Sequence, residues 1–392
     1  MRFLAIALIV SGIGLVGGDG VTTRSNKLTA HEAADGWLLL FDGESTFGWS
    51  ASKNDILSVK EGVLRIKGAG KLATTTAFSQ FALEFLCRVS GAMIHDDVQI
   101  SFAGKTVGMA LPKVKNPTWA KAKLIVADKR YKFTLTSERG DFPSVSGEMP
   151  EAEAGPIAFT LIDGVVLELR DVTLVPLQMK AIFSGKNLDG WKVFPGKKSK
   201  FTVNDKLELN LKDGPGDLQT EAKYGDFLLQ LQCFSNGKHL NSGIFFRCRE
   251  GEYQNGYEAQ IHNGFALDPP KDYTVDDYDP QTHKLTGKHK VKSAANDWGT
   301  GAIYRRVPAR QAVAKDFEWF TMTLVAHGNH YATWVNGIQV VDWTDNRPAD
   351  SNPRNGCRLE PGHISLQGHD PTTDLSFRSI RILEYPAAMK KS

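Results

Sequence analysis

Between Asn241 and His262 the chain reads NSGIFFRCREGEYQNGYEAQIH, which concentrates acid, amide, imidazole and guanidinium groups on segments that otherwise read as buried strand. In GYEAQIH the period-two alternation of a strand sends Tyr257, Ala259 and Ile261 to one face and Glu258, Gln260 and His262 to the other. An acid, an amide and an imidazole side by side can move protons and hold hydroxyl groups. The preceding NSGIFFR places Gly243, Phe245 and Arg247 on one face, and the Gly- and Asn-containing link Cys248 to Gly256 lets the two strands pair as a hairpin. Arg247 then neighbours Glu258. The same residues also fit a solvated sheet face with an ordinary surface ion pair, which contributes little to stability.

A second polar strand, ISLQGHD from Ile364 to Asp370, puts Gln367 and His369 on a common face by the same alternation. This singles out His369 over His239, His283 and His289, which fall in stretches that read as loops. TGAIYR, Thr300 to Arg305, adds Tyr304. Against these stand structural readings: His369 as a turn-stabilising neighbour of Asp370, and Tyr304 as a core aromatic with its hydroxyl at the rim.

The elements that must position these residues belong to a repeat. LFDGESTFGW (Leu40 to Trp49) and IFSGKNLDGW (Ile182 to Trp191) share an aromatic, both glycines and the tryptophan in register. Downstream, FALEFLCR (Phe81 to Arg88) parallels FLLQLQCF (Phe227 to Phe234), and LELRDVTL (Leu167 to Leu174) parallels LSFRSIRI (Leu375 to Ile382). Both halves carry short alternating strands between Gly, Asn, Asp and Pro turns, such as HYATWVNGIQVVDW with its Asn336-Gly337 hairpin signal. The pattern predicts an all-β chain of two jelly-roll sandwiches in tandem, residues 35–178 and 179–386. What both copies share is most economically fold-building, including Arg170 and Arg378 in the closing strands. NSGIFFR, GYEAQIH, TGAIYR and ISLQGHD occur in the second copy alone, so the first reads as an accessory or carbohydrate-binding module.

The bulk numbers bound the function class. The 392 residues suit about two domains, and 47 basic against 44 acidic residues leave a net charge of +3 without the basic stripe of a nucleic-acid binder. The basic run KLTGKHKVK, Lys284 to Lys292, reads as a solvated loop. Residues 1–18 join Arg2 to an apolar run too short to span a bilayer and end in small residues, which predicts a signal peptide and a periplasmic or secreted protein with no later membrane span. Four scattered cysteines, Cys87, Cys233, Cys248 and Cys357, build no disulfide framework or zinc site; Cys233 and Cys248 fit a bridge or buried free thiols.

The long insertion Asn263 to Gly299 reads as a loop, and loops of this length are usually functional or disordered. Its Tyr273, Tyr278 and Trp298 suit either stacking on a sugar ring or tethering of the loop. Asp272, Asp276, Asp277 and Asp279 offer oxygen ligands, but their spacing lacks the Gly and terminal Glu of an EF-hand loop. No cofactor or metal is therefore expected, with a divalent cation there as the alternative.

Taken in order, FSGKNLDGW, LQTEAKYGDFLL, NSGIFFR, GYEAQIH, TGAIYR, WVNG, ISLQGHD and FRSIRI make the segment Ala181 to Glu384 resemble the 3-keto-disaccharide hydrolase family, also described as 3-keto-glucoside lyase domains. The first half matches the opening and closing blocks alone, a degenerate copy. The resemblance implies concanavalin A-like jelly rolls, export, and action on glycosides whose sugar is oxidised to a ketone at carbon 3. Where family members carry an acidic residue soon after the E-x-Q strand, this chain has His262 and Asn263, a departure that bears on substrate preference.

An ordinary glycosidase needs two facing carboxylates, yet the Glu258 strand carries no second acid two or four positions away. A ketone at carbon 3 acidifies the carbon-2 hydrogen, so one base and an enolate stabiliser suffice for elimination, and water then completes a net hydrolysis. On this reading Glu258 or His369 is the base and Arg247 stabilises the enolate. Asn241, Gln260, His262, Tyr304, Gln367 and Trp298 bind the carbohydrate substrate. The rival expectations are a lectin-like binder, which leaves its glycan intact, and a conventional β-glycanase, which cuts unoxidised polymer.

Overall fold

Alternation becomes structure most plainly in Ala120–Ala127, where Ala120, Ala122, Leu124 and Val126 are buried and the residues between them, Lys121 and Lys123 among them, face outward. Strands of this kind build a computed structural model that describes residues 26–386 apart from 92–96, 110–116, 139, 150–152 and 265. The expected signal peptide lies outside the described residues. One α-helix, Ala30–Asp35, and one 3-10 turn, Asn54–Ile56, occur among them; the rest is strand, turn and loop.

The chain folds as two sandwiches with the same strand order. In the first, one sheet runs Trp49–Ala51, Gly70–Phe78, Gly155–Leu161, Val98–Phe102, Lys105–Gly108. In the second, the matching sheet runs Trp191–Val193, Gly216–Thr220, His363–Gly368, Asn241–Cys248, Tyr257–His262. The opposing sheets match as well. Val166–Pro176 and Asp374–Glu384, the closing strands, each sit centrally and each break register at a bulge, with Asp171 and Ser379 both at φ 53°.

The repeated residues do repeated work. Trp49 Nε1 donates to Leu40 O and Trp191 Nε1 to Ile182 O, both at 2.6 Å, so each indole closes its own opening turn. Arg170 lies over Trp119 at 4.2 Å and Arg378 over Trp319 at 3.9 Å, a cation–π contact rebuilt in each copy.

The two sandwiches share more than a linker. Leu39 pairs in parallel with Ile338, joining the larger sheets, and Leu228, Val325, Trp334 and Leu383 of the second half pack into the apolar core of the first. All four cysteines are buried free thiols, so Cys233 and Cys248 form no bridge.

The insertion corrects an expectation. It is a two-stranded hairpin, Lys271–Tyr278 against Leu285–Ser293, rather than a loop, and the basic run lies on its second strand. Three of the four acids of its cluster already have partners: Asp276 meets Lys288 at 3.0 Å, Asp277 meets His289 at 2.7 Å, and Asp279 caps the turn through the backbone of Gln281 and Thr282.

Candidate active site

The five-stranded sheet of the second sandwich carries a cleft of about 600 Å³ on its outer face. Its floor follows from register. Glu258 stands opposite Phe245 and Gln260 opposite Gly243, while Asp217 stands opposite Gln367 and Gln219 opposite Ser365. Directly paired residues share a face, so two polar rows cross the sheet. Asn241, Glu258, Gln260, Gln367, Tyr304 and His369 all line the cleft, with Tyr253, Gln254, Arg305, Arg306 and Arg354 around them.

Glu258 leans across the sheet over Gly243, where a β-carbon would lie 2.6 Å from its Oε1. With its amide turned to satisfy its neighbours, Gln260 donates to Glu258 Oε1 at 3.1 Å and to Ser242 O at 3.2 Å. Burial pushes the Glu258 carboxyl up to about 8; Arg354 and Arg305 pull it down, and Asp217 and Asp297 push it further up. A carboxyl poised near neutrality in a cleft is the signature of an acid or base in use.

The segment after the hairpin supplies the opposite wall. Gln260 N donates to Ala302 O and Tyr304 N to Glu258 O, so residues 302–304 run along the edge strand and carry Tyr304 and Arg305 beside the acid. His369 follows directly on the strand His363–Gly368, exposed, with Nδ1 2.9 Å from Asp370 Oδ2. Thr372 and His369 hold the Asp370 carboxyl below its usual range against a burial effect that acts the other way.

Several buried polar atoms on this sheet face have no protein partner: Asn241 Oδ1, Gln219 Nε2 and Gln367 Oε1. Leaving such an atom unmade costs about 1–3 kcal/mol each, and a ligand rich in hydroxyl groups, both donors and acceptors, matches the set. Among the described residues no group of three or more His, Cys, Asp or Glu side chains converges to hold a metal ion.

Three sequence expectations are corrected. Arg247 is outside the cleft: its strand slips register between Phe245 and Cys248, Arg247 takes a left-handed φ of 50°, and its side chain turns to the opposite face. There it is fully buried, paired with Asp226 at 2.8 Å and donating to Gly225 O, Gly328 O, Arg358 O and Tyr331 Oη. Trp298 packs behind the wall, 5.1 Å from the Tyr273 ring and 6.1 Å from that of Tyr304, and does not line the cleft. Tyr273 is buried with its hydroxyl on Ala295 O, so both aromatics tether the hairpin. His262 continues the polar row past the cleft and meets Asp297 at 3.2 Å.

The structure also brings in residues the sequence reading missed. Arg354 comes from the loop after Pro353, where no periodicity marks it, and Arg305 from the end of TGAIYR, whose tyrosine alone was singled out. Asp217 lies on Gly216–Thr220, a strand buried along its whole length. Its carboxyl is pushed up to about 6 by burial, against hydrogen bonds from Gln254 N and Nε2 at 3.2 and 3.1 Å.

The first sandwich has the same strands without this face. GPIAFTL aligns with GHISLQG, so Ala158 and Thr160 stand at Ser365 and Gln367, and the registers put Thr106 and Gly108 where Glu258 and Gln260 stand.

The model of the 3-keto-alpha-glucoside-1,2-lyase-like domain matches residues 178–383, more than half of the chain. The chain belongs to this family. Two structures of a proposed glycosyl hydrolase from Parabacteroides distasonis ATCC 8503 are similar to 53% of this chain: one is 22% identical, covered over 94% of its length with a TM-score of 0.39, the other 23% identical, covered over 99% with 0.37. Carbohydrate-binding module CBM66 from Bacillus subtilis is 12% identical over 49% of this chain and 93% of its own, with a TM-score of 0.30. No curated protein matches the chain. Membership in the 3-keto-alpha-glucoside-1,2-lyase-like family supports a glycoside-cleaving enzyme, and the family match covers the sandwich that carries Glu258.

Proposed function

We propose that the second sandwich cleaves 3-keto-glycosides outside the cytoplasm by elimination followed by hydration. The observation that carries this reading is a single carboxyl, Glu258, tuned by burial to about 8 and flanked by two arginines. Glu258 takes the proton from carbon 2, and the electron pair moves onto the carbon-3 oxygen as an enolate. Arg354 and Arg305, in place of Arg247, face that developing charge. The enolate collapses, the carbon 1–oxygen bond breaks, and His369, held 2.9 Å from Asp370 Oδ2, passes a proton to the departing aglycone. Water then adds to carbon 1 of the unsaturated sugar, a proton returns to carbon 2, and the net change is hydrolysis.

Asp217 does not turn this into a two-carboxylate site. Gln254 N and Nε2 tie the Asp217 carboxylate to the loop above it at 3.2 and 3.1 Å, so it is engaged by the protein instead of standing free across the cleft from Glu258. A one-base elimination suits the geometry better. Incubating the purified protein with matched 3-keto and unoxidised disaccharides tests it: we expect cleavage of the oxidised sugar alone, with Glu258→Gln slower by at least about a hundredfold. Cleavage of the unoxidised sugar, or a Glu258→Gln enzyme at full rate, overturns the assignment.

A further inference from the structure

The first copy of the fold has lost the polar face, yet one of its turns reaches the wall of the cleft. Asp42 and Ser184 occupy equivalent positions in the two opening turns, FDG and FSG. Both brace their turn in the same way. Asp42 Oδ1 accepts from Glu44 N at 2.9 Å and Ser45 N at 2.7 Å, as Ser184 Oγ accepts from Lys186 N at 3.1 Å and Asn187 N at 3.5 Å. The carboxylate adds a second oxygen that Ser184 lacks. Asp42 Oδ2 accepts from Ser45 Oγ at 2.7 Å and from Arg310 Nη1, of the second sandwich, at 2.8 Å.

Arg310 is gripped on every side. Its guanidinium lies 4.4 Å from the Phe47 ring of the same first-copy turn, its Nε donates to Gln339 O at 2.8 Å, and its backbone N donates to Val340 O at 3.0 Å. It closes the far end of a segment whose near end is pinned to the Glu258 strand by the Ala259–Ile303 bridge and by Tyr304 N on Glu258 O at 2.9 Å. Between the two anchors lie Tyr304, Arg305 and Arg306, all lining the cleft. Arg305 sits at φ 59°, a left-handed conformation that an arginine holds at a cost and that its surroundings must impose.

We propose that the first sandwich positions the cleft wall: Asp42, through Arg310, holds Ile303–Arg310 so that Tyr304 and Arg305 face the carboxyl of Glu258. Asp42 is a positioning residue and touches no substrate. The proposal rests on Glu258 as the working base, and on it the first copy serves as an outside support of the wall.

The test uses the full chain with Asp42→Asn and Asp42→Ser, the latter copying the equivalent residue of the second turn so that the turn itself survives. The groups facing Glu258 are Arg354 and Arg305, which favour its carboxylate, and Asp217 and Asp297, which oppose it, with His369 across the cleft. Loosening Arg305 removes one of the two favourable cations. We expect turnover of a 3-keto-glucoside to fall about tenfold through misplacement of the wall. The Glu258 titration, followed by carboxyl carbon-13 NMR and assigned by its loss in Glu258→Gln, moves alkaline by roughly half a pH unit. Arg305→Ala gives the same displacement, and combining it with Asp42→Ser adds nothing further. A titration unmoved in both Asp42 variants, or displacements that add in the double variant, overturns the proposal. Because the NMR readout needs no substrate, a moved titration in a protein that leaves 3-keto-glycosides intact upholds the positioning role and defeats the proposed reaction instead.

Discussion

Replacing Glu258 by glutamine should stabilise the protein in alkaline solution while disabling it. The carboxyl ordinarily titrates near 4.5 and here is pushed up to about 8, chiefly by burial. A group whose proton is bound more tightly in the folded chain contributes stability that is complete below 4.5 and is lost as pH rises through 8. At about 1.4 kcal/mol per pH unit, the full rise corresponds to roughly 5 kcal/mol, with 3 kcal/mol as a cautious lower figure. Glutamine keeps the size and the contact with Gln260 but cannot ionise. Urea denaturation of both proteins at pH 5, 7 and 9 should therefore show near-equal stability at pH 5 and a gap at pH 9 favouring Glu258→Gln by about 3 to 5 kcal/mol. All other titrating groups are common to the pair and cancel in the difference. The reasoning fails if the gap is the same at every pH, or if the glutamine protein is the weaker one at pH 9. With Glu258 as the proposed base, the same ionisation is expected to make the wild-type rate rise with pH toward 8, where the fold is losing stability.

Two further outcomes separate site from scaffold. Gly243→Ala introduces a β-carbon 2.6 Å from Glu258 Oε1 and 2.8 Å from its Cγ, and the flexible acid can swing away. We expect a stability cost of about 1 kcal/mol but a kcat reduced at least about tenfold, measured by steady-state kinetics; an unchanged kcat means that the carboxylate acts from elsewhere. Arg247→Leu should do the reverse of what a cleft residue would. Removing the buried guanidinium strands Asp226 and three carbonyl oxygens, at about 3–5 kcal/mol in chemical denaturation, and a variant as stable as the wild type refutes the buried-pair account.

What could be read ahead of the structure was whatever obeys a simple period. Glu258 and Gln260, and likewise Gln367 and His369, stayed on a common face because their strands run regularly through the stretch that matters. The paired tryptophans Trp49 and Trp191 were legible as fold-building because they recur in register in both copies, and each indole N–H found the equivalent carbonyl of its own opening turn. Arg247 broke the phase: its left-handed turn falls in FFRC, with no Gly or Asn to announce a bulge. Arg354 sits in an aperiodic loop and reaches the cleft by tertiary folding alone. The hairpin Lys271–Ser293 hid behind its composition, since most of its residues are exposed and two buried positions in its first strand, Tyr273 and Val275, make a faint alternation.

The packing of Leu228, Val325, Trp334 and Leu383 into the neighbouring core has a bearing on how the enzyme can be handled and how it can evolve. Cutting the chain at the edge of the matched segment would strip a large indole and three aliphatic side chains of their cover, and a bare apolar plateau of that kind drives self-association. The family-matched half is thus bound to the first sandwich for solubility, and a gene that lost that sandwich would have to repaint the plateau with polar residues before its product could stand alone.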